Sequence, residues 1–148
     1  MSDPLFRRVV VPVASEEDAA ATAASIAPHI DAAGGEVVAV FVVEKAGGAP
    51  DKASVEQREQ HAETAFTRFR ADLGDVNIET EIRYGTDVAA AIVEAARDAD
   101  ANAIAFTPRG GSRWVKLLTG DVSADLIAAS DRPVVVLPDR TEDGERGA

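Results

Sequence analysis

Three short runs of this chain are too apolar to leave one face in water: Arg8 to Val13 (RVVVPV), Glu36 to Val43 (EVVAVFVV) and Pro133 to Leu137 (PVVVL). β-Branched residues dominate them. An extended strand that is apolar at successive positions must bury both faces, as strands of a parallel sheet do between two layers of helices. Val76 to Tyr84 and Asn102 to Thr107 also read as strands, and within the first, Asn77 to Arg83 (NIETEIR) alternates as an edge strand would. Between the strands the apolar period becomes helical. Glu16 to Ala33 is alanine-rich, Asp51 to Leu73 carries Ala62, Ala65, Phe66, Phe69 and Leu73 at helical spacing, and Thr86 to Ala99 sets Ala89, Ile92, Val93 and Ala96 on one face. A last helix is predicted from about Asp121 to Ser130, with Val122, Leu126 and Ala129 inward.

Strict alternation of strand and helix, joined by right-handed crossovers, predicts an α/β fold built on a single doubly wound, five-stranded parallel sheet. The expected strand order is 3-2-1-4-5, with helices on both faces. In 148 residues this makes one domain over residues 1–138, followed by a polar tail, 139–148 (DRTEDGERGA), that lacks an apolar anchor and reads as mobile. No apolar run approaches the roughly 20 residues of a membrane span. The start, MSDPLFRR, shows no charged stretch leading into an apolar core and a cleavage site, so a cytoplasmic protein without membrane insertion is expected.

The absence of cysteine removes disulfides, thiolate nucleophiles and cysteine-ligated zinc. His29 and His61 stand apart from any ligand cluster and read as surface residues; no metal site is expected. With 26 acidic and 15 basic residues the net charge is −11, which repels phosphate backbones and argues against broad nucleic-acid binding. Only three of the basic residues are lysine, and the acids spread along the whole chain. That pattern suits a halophilic setting, where dissolved salt screens repulsion between carboxylates.

Ligands of open parallel sheets sit beyond the carboxyl ends of the strands, where the chain order reverses. Here that crevice falls between the first and fourth strands, lined by Val13 to Glu16 and by Pro108 to Asp121. The second segment holds Arg109, Gly110, Gly111, Arg113 and Lys116 with no acid before Asp121, a basic patch in an acidic chain. Glycines let backbone N–H groups approach an anion, the helix start adds donors, and arginine grips phosphate oxygens in pairs. Residue types alone leave a phosphate-bearing ligand and a plain solvated turn equally open. Ser112 has no evident base and reads as a turn residue, and Trp114 as packing between this loop and the last helix. No Walker loop or nucleophile elbow is present, so no catalytic residue is assigned, and hydrolysis of a nucleotide or similar substrate is the weakest of the functional readings.

Four segments, Val11-Pro12-Val13-Ala14, Thr107-Pro108-Arg109-Gly110, Gly120-Asp121 after nine intervening residues, and Pro133-Val134-Val135-Val136, resemble the pattern of the universal stress protein family over nearly the whole chain. Nucleotide-binding members carry V-P-x-D at the first strand and two glycines three apart after the fourth, then a glycine and a small hydroxyl residue opening the last helix. The resemblance implies a dimeric regulatory or partner-binding module in stress response, with a crevice for ATP or another adenine nucleotide. Pro12, Val13, Ala14, Val42 from the second strand, Thr107, Arg109, Gly110, Arg113, Gly120, Asp121 and Val122 are its candidate residues. Three of them depart from the pattern, and together they are expected to weaken or abolish ATP binding. Ala14 replaces an aspartate and has no carboxylate to accept a bond from the nucleoside. Thr107 adds a side chain where glycine lets a ligand come close, although its hydroxyl could donate a bond. Asp121 places a carboxylate where a phosphate would seek helix N–H groups. The resemblance also implies a homodimer through Val134, Val135, Val136 and Leu137, an apolar edge with open ladder groups, and an unidentified protein partner.

Overall fold

In the computed structural model, which describes residues 4–44, 52–107 and 120–138, the elements run β1 (Arg8–Pro12), α1 (Glu16–Ala33), β2 (Glu36–Glu44), α2 (Lys52–Leu73), β3 (Asn77–Gly85), α3 (Val88–Asp98), β4 (Ala103–Phe106), α4 (Gly120–Ala129) and β5 (Val134–Val136). The five strands form one parallel sheet of order β3-β2-β1-β4-β5, as the sequence predicts. The chain therefore reverses direction between β1 and β4. The alternating NIETEIR segment forms the β3 edge. The tail beyond residue 138 lies outside the described residues.

Successive side chains of the central strands point to opposite faces, and both faces are dry. Val9, Val11 and Val13 pack with Ala39, Phe41 and the apolar faces of α1 and α2, among them Ile26, Phe66 and Phe69. Val10, Val38, Val40, Ile104 and Phe106 pack with Ile92, Val93 and Leu126 beneath α3 and α4. Register extends this into a row, since Val38, Val10, Ile104 and Val134 are neighbours across four strands. Ala19 and Ala23 of α1 are fully buried and present only methyl groups to this cluster. On α4, Leu126 is buried as predicted, whereas Ala129 is exposed. The helix has only ten residues, and its inward stripe ends before that position.

Local signals set the helix ends. Ser15, in extended backbone, accepts from the Asp18 amide and starts α1; Gly34, at φ 58°, closes it. Asp87 does the same for α3 through the Ala90 amide at 3.0 Å. The carboxyl end of α3 is held instead by two distant arginines. Arg8 Nε donates to the Ala99 carbonyl at 2.7 Å, while Arg132 Nη1 donates to the carbonyls of Ala96 and Ala101 at 3.1 and 2.8 Å. Cations there oppose the negative end of the helix dipole. Arg8 also binds Glu36 of β2 and Glu79 of β3, tying three strands together at their amino ends.

Arg132 also sets the acidity of its neighbour. Its hydrogen bond, with a further one from Arg97, lowers the Asp131 carboxyl from 3.8 to about 2. A depressed folded-state value stabilises the protein above the unfolded carboxylate range and is lost as pH falls toward 2. The group is exposed, so salt screens the pair and its share of stability is small. Carboxyl NMR titration is expected to give a midpoint near 2 for Asp131 in the native chain. In Arg132→Ala it should rise toward the ordinary carboxylate range, with the Arg97 bond still holding it somewhat below.

Candidate functional site

β1 continues past its last paired residue, because the Val13 amide donates to the Val40 carbonyl at 2.9 Å. Pro12 and Val13 are buried there, and the chain then turns through Ala14 into the Ser15 cap of α1. Ala14 and Val42 are half-buried and both pack against the apolar cluster beneath α3 and α4. The fold thus brings these two candidate residues to the carboxyl ends of β1 and β2 on the same face of the sheet. The wall they make is apolar.

The first turn of α1, at the mouth of this crevice, reads Glu16, Glu17, Asp18. Glu16 and Glu17 are exposed, whereas Asp18 is fully buried. These carboxylates already oppose the positive end of the helix dipole, so α1 offers an incoming anion little attraction.

Across the reversal point, Thr107 follows β4 and is fully buried. The Thr22 hydroxyl of α1 donates to the Thr107 hydroxyl at 3.1 Å. The side chain expected to crowd the crevice is therefore turned against α1, on the face opposite Ala14 and Val42. Gly120, Asp121 and Val122 open α4, and their side chains lie outside the described residues. Arg109, Gly110 and Arg113, together with Ser112, Trp114 and Lys116, lie outside the described residues.

His29 and His61 are exposed, as expected, though each meets a ring: His29 stacks on Phe6 at 5.0 Å, and His61 meets the edge of Phe41 at 6.3 Å. Among the described residues no group of three or more histidine, aspartate or glutamate side chains could hold a metal ion. No described helix is long and apolar enough to cross a membrane.

Sequence reasoning missed an open groove of about 430 Å³ at the junction of β3 and α3, lined by Arg83, Tyr84, Gly85, Thr86, Asp87 and Glu94 among others. Arg83 is held by Glu81 at 2.6 Å and Asp98 at 2.8 Å. The Tyr84 hydroxyl donates to Glu59 of α2, and that bond pushes the phenol above its ordinary value. No motif marks this groove; its only sequence signal is the Gly85-Thr86-Asp87 turn that ends the strand and caps the helix.

Comparison with known proteins agrees with this architecture. A universal stress protein from Archaeoglobus fulgidus is 22% identical, with a TM-score of 0.68, the alignment covering 89% of this chain and 98% of that one. Another from the same organism, in complex with dAMP, is 20% identical with a TM-score of 0.65 over 90% and 99% of the two chains. A universal stress protein in complex with cAMP is 21% identical with a TM-score of 0.62 over 90% and 98%. A search of curated protein sequences gave no match. The model of the universal stress protein family matches residues 5–138, and the chain belongs to that family.

Proposed function

We propose that the protein is a dimeric binding and regulatory module of stress response whose crevice binds ATP weakly or not at all. The observation that carries this reading is the wall made by Ala14 and Val42, apolar where a nucleoside-reading carboxylate would stand, beside the acidic first turn of α1. An amine or hydroxyl buried against such a wall loses its bond to water without gaining another. Titration calorimetry with ATP and ADP in molar KCl, and a search for nucleotide released on denaturation, test it. Submicromolar binding that disappears in Gly110→Asp would overturn it.

The second reading is an adenine-nucleotide-binding stress protein that uses the loop from Thr107 to Asp121. Two observations favour it: relatives of the same fold are described with dAMP and cAMP bound, and the Thr107 side chain is turned toward α1. The same titration separates the readings, because this one requires saturable binding in the native chain.

Dimerisation is proposed through the β5 edge. Val136 is 54% exposed beside the open side of a three-residue strand, and Leu137, 4% exposed, anchors that edge in the core. Sedimentation equilibrium at micromolar concentration in high salt is expected to give twice the chain mass. A monomer under those conditions would remove the proposal.

The salt-rich cytoplasm read from the charge pattern is proposed on the same terms. With a net charge of −11, the urea midpoint is expected to rise between 0.1 and 2 M KCl, roughly the range over which the Debye length falls from 10 Å to below 3 Å. A flat or falling midpoint would count against it.

A further inference from the structure

We infer that the outer edge of β3 takes an extended basic segment of a protein partner as an added strand, with one cationic side chain of that segment seated in the groove at the junction of β3 and α3. The inference rests on the binding-module reading above and names a class of partner for it. β3 is nine residues long and terminal in the sheet, so among the described residues it pairs with β2 alone and its outer ladder groups are open. The opposite edge, β5, has only three residues.

The two faces of the β3 edge differ. Ile78 and Ile82 pack against the cluster beneath α1 and α2, and the Tyr84 ring on that same face is 43% exposed. The other face carries Glu79, Glu81 and Arg83, and there acids outnumber bases: Arg83 is shared by Glu81, Asp98 and Glu94, and Arg8 by Glu79 and Glu36. An added strand sets alternate side chains over the two faces. The sequence that complements this edge therefore alternates basic with apolar residues. A second copy of β3 would bring the same carboxylates and fits less well.

The groove decides where one basic side chain goes. It encloses about 430 Å³, lined by Ala90 and Ala91 with Glu94 beside them. The Glu94 side chain is 65% exposed and stands 4.0 Å from Arg83, the longest of that arginine's three ion pairs, so its carboxylate can accept a second cation. A lysine stem lies along the alanines while its ammonium reaches Glu94. Asp87, also on the groove, is already engaged in capping α3.

The test is titration calorimetry with amide NMR on the full chain at about 0.15 M KCl, where screening over about 8 Å limits attraction from the net charge of −11. The probe is a capped octapeptide of alternating lysine and valine. Saturable binding is expected, with amide shifts confined to β3 and the first half of α3. Methylating alternate peptide amides gives two patterns, and only the one that blocks the ladder should weaken binding, by roughly tenfold. Glu94→Lys is expected to weaken it roughly three- to tenfold, whereas Glu63→Lys, the same charge change on α2 across the sheet, should cost less than about twofold. Both positions are exposed, and both variants are expected to keep the fold. No binding, equal effects of the two methylation patterns, or equal losses in the two lysine variants would each overturn the inference. So would β3 shifts that grow with protein concentration in the absence of peptide, because they would make a second copy the occupant. β3 lies at the edge opposite β5 and is separated from β1 by β2, so the ATP titration and the sedimentation experiment judge the module reading separately.

Discussion

Gly35→Ala is expected to cost about 3 kcal/mol or more, whereas Gly34→Ala, one residue earlier, should cost only about 1 kcal/mol. The two glycines are demanded by different physics. Gly34 has φ 58° with open space around a built Cβ, so alanine meets only the left-handed backbone penalty. At Gly35 a Cβ would stand 1.9 Å from the Phe6 carbonyl oxygen and 2.9 Å from that of Arg7, and both obstacles are backbone. Neither can swing aside. The Arg7 carbonyl is already engaged by the Glu36 amide at 2.9 Å, and the Gly35 amide donates to Ile30 at 3.0 Å. Moving the turn would break the entry of β2 beside β1. Urea unfolding of both variants checks the claim, and equal losses would show that the α1-to-β2 turn can shift.

Phe66→Ala is expected to lose about 3–5 kcal/mol, through lost transfer energy and the cavity left behind. Phe66 is 1% exposed and packs with Phe69, Phe41 and Ala65 where α2 meets the sheet. β2 fills the other side of that space with a rigid backbone, which limits how far the site can collapse. Leu5→Ala, at a side chain 41% exposed, should stay within about 0.5 kcal/mol. Thermal unfolding of the pair gives the contrast directly. A Phe66→Ala loss below about 1.5 kcal/mol would mean that α2 settles into the gap.

Sheet order was legible because VVV on β1 and VVAVFVV on β2 admit no wet face, and because alternation in β3 marks an edge. The same signals named Val9, Val38, Phe66 and Leu126 as core. At the crevice, Ala14 and Val42 were named by the family resemblance alone; the fold sets both against the same apolar cluster. What motif spacing could not supply was direction. Thr107 was read as a side chain crowding a ligand, yet it turns to Thr22, a partner that no local pattern announces. Arg8 and Arg132 stayed invisible for the same reason, since the carbonyls they hold lie 91, 36 and 31 positions away. Ala129 was placed inward by periodicity, and the short α4 leaves it in water.

The strand order also has a consequence for how the chain is made. β1 receives its two neighbours at very different times, since Val9 pairs with Val37 on one side and with Ala103 on the other. When the ribosome has released the first three strands, the β4 side of β1 is an unpaired apolar edge that includes Val9, Val10 and Val11. Such an edge can template on another nascent chain. Translation at roughly 5–20 residues per second leaves it open for on the order of seconds while α3 and β4 are synthesised. Misassembly during biosynthesis should therefore be governed by the speed of translation between Gly85 and Ala103, a stretch whose codons can change yield without changing the protein.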